Sequence, residues 1–293
     1  MKVNFTGFWP NFKGNENPLF FALQKNFEGV TIVKDSFEAD MVYYSIFADN
    51  YSNFINEQKN FLYIGESKQY INKMFLKNYN RMINYVHLIG PEFINSQAKS
   101  NFRLTEWMWQ IKWDLRIKDN NLITLNEISK KRFNFLRKDK CCFISRYGVH
   151  PWLSTRIKYV DKIEKDFKKV DKYGFEKPLK PGYRNKIKCQ KKYLYHLAFE
   201  NNVSEGYVTE KLLHALVSGG LVLYYGHKDA KKDFNPGAFI QFDDDVSFDE
   251  AMDKLKSIES SKKSINKIFN APIFLKIPNL DNFIEFTYRT VKN

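Results

Sequence analysis

The densest group of chemically capable side chains lies near residue 200. The apolar run Leu197-Ala198-Phe199 ends in Glu200-Asn201, and Asn202-Val203-Ser204-Glu205-Gly206 leads on to Tyr207-Val208-Thr209-Glu210-Lys211. A strand, a short loop and a helix start in that order make a cradle for phosphate. The first N–H groups of a helix are unpaired and its dipole is positive there. Thr209 can cap such a helix. A lysine in the first turn, here Lys211, opposes the dipole unless both share an anion, and Glu210 beside it can accept hydrogen bonds from ribose hydroxyls. The same residues also suit an ordinary capped helix with a solvated Glu–Lys pair, and they leave both readings open.

The elements around this group alternate. In the first half, Lys2–Phe8, Val30–Val33, Asp40–Phe47, Phe61–Ile64 and Tyr85–Ile89 read as strands, Pro18–Phe27 as a helix, and Arg103–Leu115, with Trp107, Trp109 and Trp113, as another helix. A polar, charged stretch over Asn120–Lys140 separates the halves. In the second half Cys141–Ser145, Lys169–Asp171, Tyr195–Phe199 and Leu221–Tyr225 read as strands. Trp152–Phe167, Arg184–Lys192, Val208–Ser218 and Phe248–Ile258 read as helices. Alternation of this kind predicts an α/β protein with parallel sheets covered on both faces. We expect two Rossmann-like domains, 1–135 and 136–293, facing a cleft, with the last residues packing back on the first domain. Ligands of such sheets bind beyond the carboxyl ends of the strands.

Composition narrows the function classes. The formal net charge is +14, which favours polyanions such as a phosphorylated substrate, nucleic acid or anionic lipid, and equally suits a lysine-rich solvated surface. Zinc-finger spacing, an RNP-type strand and a heptad-backed basic region are all missing from the sequence. Cys141, Cys142 and Cys189 cannot form a disulfide framework. There is no apolar run of about 18 residues, the signature of a spanning helix. The start, Met1-Lys2-Val3-Asn4-Phe5, runs straight into a strand pattern. These features predict a cytoplasmic protein without leader or anchor, held at most peripherally on the inner face of a membrane.

Phe199-Glu200-Asn201 followed after five residues by Tyr207-Val208-Thr209-Glu210-Lys211 resembles the signature of the α1,3/α1,4-fucosyltransferases, glycosyltransferase family 10. The resemblance continues through Leu221–Gly226 and Lys232-Asp233-Phe234-Asn235-Pro236-Gly237-Ala238-Phe239-Ile240 without an apparent gap relative to the bacterial members. Upstream, Arg156, Tyr159 and Val170-Asp171-Lys172-Tyr173-Gly174 are similar to the family's arginine helix and valine-aspartate-glycine turn. Tyr63-Ile64-Gly65-Glu66 resembles its Gly-Glu-Asn, with Ser67 in place of the asparagine, and Phe8-Trp9 its aromatic pair. The resemblance implies a GT-B fold, GDP-fucose as donor on the C-terminal domain, and Arg156, Asn201 and Lys211 on the diphosphate. Tyr207 and Glu210 would hold the fucosyl phosphate region and the ribose, and Glu66 would be the general base.

The implied reaction is inverting transfer of fucose to a hydroxyl of a GlcNAc- or Glc-containing glycan, such as a lipopolysaccharide or another lipid-linked acceptor. No cofactor or divalent metal is required, because two fixed cations and helix N–H groups can carry the leaving charge. The segment Lys68–Leu88, unlike the family's, and Arg146 in place of its usual asparagine leave another deoxy- or amino-deoxy-sugar donor open. A basic nucleic-acid-binding protein and a non-catalytic sugar-binding relic are rivals from other classes. Asp243-Asp244-Asp245 mimics a metal-binding Asp-X-Asp but is read as an ordinary loop, and the five histidines show no ligand spacing.

Overall fold

The computed structural model describes residues 1–47, 59–67, 70, 83–90, 97–129, 137–145, 154–174, 176–180, 182–243 and 245–292. The chain divides into two compact units. One comprises Met1–Trp109, Trp113–Asp119 and Pro278–Asn293; the other comprises Gln110–Lys112 and Asn120–Ile277.

In the first unit six strands form one parallel sheet: β1 (Lys2–Thr6), β2 (Thr31–Ile32), β3 (Met41–Ser45), β4 (Lys59–Tyr63), β5 (His87–Gly90) and β6 (Ser100–Arg103), in the order β2-β1-β3-β4-β5-β6. Every residue of β3 is buried, as a central strand covered on both faces requires. Helix α1 (Pro18–Asn26) starts where the Asn17 side chain accepts from Phe20 N and Pro18 fills the first turn. Its Leu19, Ala22 and Leu23 enter a core with Val3, Met41, Tyr43 and Phe61. Leu280 and Phe283, from the far end of the chain, complete that core. The sheet ends in the loops that carry Phe8, Trp9 and Glu66.

The second unit holds a short helix α2 (Leu125–Ser129) and five parallel strands: β7 (Lys138–Ile144), β8 (Val170–Tyr173), β9 (Tyr193–Phe199), β10 (Leu221–Tyr225) and β11 (Ile240–Phe242). Their order is β11-β10-β9-β7-β8. The chain therefore reverses its direction of travel across the sheet between β7 and β9. At such a switch point the loops leaving neighbouring strands turn to opposite faces and open a crevice. Helices α3 (Ser154–Asp166), α4 (Tyr183–Gln190), α5 (Glu210–Ser218), α6 (Ala230–Asp233), α7 (Phe248–Glu259) and α8 (Lys262–Asn270) follow in this unit, and α9 (Asp281–Lys292) lies in the first. Helix α7 begins with a complete capping box between Ser247 and Glu250. On one face of the sheet Cys141, Phe143, Leu197 and Leu223 pack with Val160 and Ile163 of α3 and Met252 and Leu255 of α7.

The segment Arg103–Leu115 is not the expected α-helix. Strand β6 takes Arg103, a single 3₁₀ stretch spans Glu106–Gln110, and Ile111 forms a parallel bridge with Ile123. Trp109 and Trp113 do fall one helical turn apart, but Leu104 N is committed to Gly90 O at 3.0 Å and Lys112 N to Ile123 O at 2.8 Å. Non-local pairing thus overrides the local period. Helices α8 and α9 and strand β6 had no expected counterpart.

Packing of β9 against α4 and α5 runs through a fully buried histidine. His196 Nε2 lies 2.9 Å from Gln190 O and 3.2 Å from Tyr193 O, and Nδ1 lies 3.1 Å from the Ser218 hydroxyl. Nδ1 lies equally 3.1 Å from Ala215 O, the carbonyl that also accepts from the Ser218 hydroxyl at 2.8 Å. Burial pulls the ring's pKa from 6.5 down to about 4. His87, hydrogen-bonded to Ser100 at 2.8 Å, is lowered to about 4 by burial and by Lys99 and Lys59. Between these values and 6.5 the unfolded chain binds protons that the folded chain refuses, so stability falls as pH drops. The expected outcome is a urea midpoint that declines from pH 6.5 to pH 4, each histidine contributing at most about 1.4 kcal/mol per pH unit. A midpoint constant across that window would refute the neutral assignment.

Candidate functional site

The carboxyl ends of β7 and β9 border a cavity of about 600 Å³. That volume lies in the ordinary range for small-molecule sites. Ile144 and Ser145 from the end of β7, and Leu197 to Phe199 with Asn201 from the end of β9, form one side. Arg156 of α3, Lys186 and Gln190 of α4, and Glu210, Lys211 and His214 of α5 supply the polar lining. All of these residues belong to the second unit.

One buried carboxylate organises the entrance to α5. Glu200 is fully buried and accepts from Thr209 N at 2.8 Å, from the Thr209 hydroxyl at 2.8 Å, from Lys211 Nζ at 3.1 Å and from the Tyr224 hydroxyl at 3.3 Å. Thr209 meanwhile caps the helix by accepting from Lys211 N. The loop between them turns at Gly206, whose φ of +67° lies in the left-handed region that favours glycine, and Gly206 N donates to buried Asp229 at 2.8 Å. At the far end α5 closes on Gly219 in the left-handed conformation, φ +84°. Strand end, loop and helix start are thus tied together before any ligand arrives.

Positive charge gathers around the start of α5. Arg156 is only 3% exposed; it donates to Phe199 O at 3.2 Å and reaches the Ser145 hydroxyl at 3.4 Å, while its buried Nε has no hydrogen-bond partner among the described residues. Burial lowers its pKa, against the raising influence of Glu200, Tyr207 and Glu210. Lys186 Nζ donates to Glu210 at 3.0 Å, and Lys211 Nζ lies 4.0 Å from the same carboxylate. Burial alone would raise the Glu210 carboxyl, but Lys211 and Lys186 hold it well below the usual carboxylate range. Fixed cations beside the positive end of a helix dipole at one cavity can bind a diphosphate and stabilise charge that develops on it.

Of the residues singled out by sequence, Arg156, Asn201, Glu210 and Lys211 border this cavity together. Tyr207 does not border it; the ring is 3% exposed, and Asn201 Nδ2 lies 3.5 Å from its hydroxyl. Glu66 sits in the first unit, after β4, partly buried beside Tyr63. Arg146 and Asp244 lie outside the described residues. Asp243 is spent on its own turn, accepting from Asp245 N and Val246 N, each at 2.9 Å, and Asp245 pairs with Lys228 at 2.9 Å. Among the described residues no group of three or more His, Cys, Asp or Glu is placed to hold a metal ion. Sequence reasoning missed Glu200 as the keystone, Lys186 and His214. Only Glu200 had a signal, its place directly before Asn201 at the end of an apolar run.

Removing the keystone tests this account of the site. Glu200→Ala should cost about 3–5 kcal/mol, the usual penalty for breaking a buried ion pair, seen as a lower urea midpoint at unchanged slope. Glu200→Gln should cost less, because its amide oxygen can still accept from Thr209 and Tyr224. An Ala variant as stable as the parent would show that Glu200 organises nothing.

Comparison with known proteins agrees with the geometry. Residues 136–281 match glycosyltransferase family 10 (fucosyltransferase), C-terminal domain. The alpha-(1,3)-fucosyltransferase FucT of Helicobacter pylori is 35% identical over 91 residues, which are 31% of this chain and 19% of that protein. The match thus spans about a fifth of that relative's length. A crystal structure of an α1,3-fucosyltransferase with GDP-fucose superposes with a TM-score of 0.71 at 19% identity, over 100% of this chain and 90% of the other. One with GDP gives 0.72 at 20% identity and the same coverage. These likenesses place the two parallel-sheet units in the GT-B fold. The second unit carries the cavity and all but the last four residues of the matched segment, and through it the chain belongs to glycosyltransferase family 10, the fucosyltransferases.

Proposed function

We propose that the protein is an inverting glycosyltransferase that moves fucose from GDP-fucose to a hydroxyl of a GlcNAc- or Glc-containing glycan. The observation that carries the reading is the cavity at the β7/β9 switch point, where Arg156 and Lys211 flank the start of α5. In this proposal the second unit, the bulk of 136–293, is the donor domain, and the first unit, the bulk of 1–135 with Pro278–Asn293, is the acceptor-side domain. Arg156, Lys211 and Asn201 hold the diphosphate, and Glu210 accepts from the ribose hydroxyls. Tyr207 supports Asn201 from behind.

The step follows from these roles. The acceptor oxygen bonds to the anomeric carbon while the carbon–oxygen bond to the β-phosphate breaks, and the electron pair leaves with GDP. Glu66 takes the proton of the acceptor hydroxyl. The negative charge gathering on the leaving diphosphate is met by Arg156, whose fork suits phosphate oxygens, and by Lys211 and the N–H groups of α5. These charges make a divalent cation unnecessary in the proposed step. Among the described residues no helix is long and apolar enough to cross a membrane. The net charge of +14 supports a peripheral attachment to anionic lipid on the cytoplasmic side.

A thermal-shift titration against nucleotide sugars tests the donor. GDP-fucose at 100 times its dissociation constant should stabilise the protein by roughly 2.7 kcal/mol. A larger response to another deoxy-sugar nucleotide would replace fucose in the reading and keep the site. Lys211→Ala should lose the response to GDP while keeping native near-UV circular dichroism. Glu66→Ala should keep donor binding and lower transfer by about 10²–10⁴-fold, the range for removing a general base. Unchanged GDP affinity in Lys211→Ala, with fold intact, would defeat the donor-site assignment.

A further inference from the structure

His214 is the one histidine of α5, and its situation differs from that of His196 on the neighbouring strand. Both rings are buried, with His214 3% exposed. His196 has partners on both nitrogens. Among the described residues His214 has none on either, although its ring borders the cavity. Its ring is held instead by Tyr183 of α4, 4.9 Å away at an interplanar angle of 37°. The Tyr183 hydroxyl is likewise buried without a hydrogen-bond partner among the described residues. Buried polar atoms in native proteins are nearly always paired, and an orphaned ring lining a cavity marks a place where a ligand completes the set.

The position of the ring says which part of a ligand that is. His214 stands three residues after Lys211 and four after Glu210, so all three share one face of α5, with His214 a full turn, roughly 5 Å, further from the helix start. Lys211 and Arg156 border the cavity near the start of α5, and His214 borders it a turn further along the helix, with Gln190 and Lys186 of α4 lining the same cavity. Burial and the nearby Lys186 push its pKa down to about 3, so the ring is neutral at working pH. A neutral imidazole offers one donor and one acceptor. That pair suits a heterocycle edge or a hydroxyl and is a poor match for a phosphate dianion.

We propose that His214 is a specificity residue that hydrogen-bonds the nucleoside portion of a bound nucleoside diphosphate, one ring nitrogen donating and the other accepting. This rests on the reading of the cavity as a nucleotide site. The diphosphate sits with Lys211 and Arg156 near the start of α5, and the nucleoside runs along α5 to the imidazole. Tyr183 fixes the plane of the ring, so the contact is made without reordering a side chain.

Isothermal titration with GDP and with inorganic pyrophosphate tests this on three variants. His214→Phe, which keeps the volume and the Tyr183 contact, should weaken GDP roughly 10- to 100-fold, the loss expected for two unmade hydrogen bonds. It should leave pyrophosphate binding unchanged. His214→Gln, with a donor and an acceptor of its own, should recover part of the GDP affinity. Lys211→Ala should weaken both ligands. Titration of 2′-deoxy-GDP and inosine diphosphate then separates ribose from base, because the penalty for the missing group disappears in His214→Phe. If Lys211→Ala weakens both ligands while His214→Phe binds GDP like the parent, or loses pyrophosphate equally, the role given to His214 is wrong and the site stands. If Lys211→Ala binds both normally, the site itself is misplaced.

Discussion

A single buried carboxylate carries the architecture of the candidate site. Removing an ion of this size from water costs several kcal/mol even after the protein relaxes, and Glu200 is fully buried. The cost is offset only because its oxygens receive a backbone N–H, a hydroxyl and an ammonium from Thr209 and Lys211, and a second hydroxyl from Tyr224. Each donor comes from a different part of the βα unit: the helix cap, the first turn and the neighbouring strand β10. The carboxylate therefore fixes the distance between strand end and helix start. It also directs Lys211 to the cavity as an already oriented cation. Preorganised charge of this kind needs no rearrangement when a ligand arrives, which is where fixed dipoles outperform solvent.

Around that keystone the charges compete. Arg156, Lys186 and Lys211 converge on one cavity, and Glu210 is the carboxylate among its lining residues that keeps them apart. Without it these cations, and Lys180 on the same lining, would repel one another in a partly dry space. With it, two positive side chains are shared between an internal anion and any incoming one. The carboxylate stays ionised because those cations outweigh its burial. The topology explains why the side chains meet here at all. Helices α4 and α5 precede and follow β9, and the switch between β7 and β9 leaves their ends open to solvent.

Much of this was readable from residue order because the signals are local. The apolar runs at Met41–Ser45, Tyr193–Phe199 and Leu221–Tyr225 mark strands covered on both faces. Thr209 announced the start of α5 through its capping chemistry. What was not legible depends on contacts between distant segments. The roles of Lys186 and His214 arise because α4 packs beside α5, a pairing that neither stretch encodes alone. The apolar pattern of Arg103–Leu115 imitates a helix period, yet hydrogen bonds to Gly90 and Ile123 draw the chain into other forms. Glu200 looked like one more polar loop residue because burial of a charge cannot be seen without its partners.

The first unit borrows its last helix from the end of the chain. Helix α9 lies against α1, with Asn26 donating to Ile284 O at 2.7 Å, and Phe283 is 1% exposed in the shared core. During synthesis the ribosome releases the six-stranded sheet long before those residues exist. The five-stranded unit is a continuous stretch apart from Gln110–Lys112, and most of it emerges while its predecessor still displays bare apolar surface near Leu19 and Leu23. Assembly on the ribosome therefore runs against the usual order for tandem domains, with the later-made half free to finish first and the earlier-made half waiting, exposed to chaperones, for its closing helix.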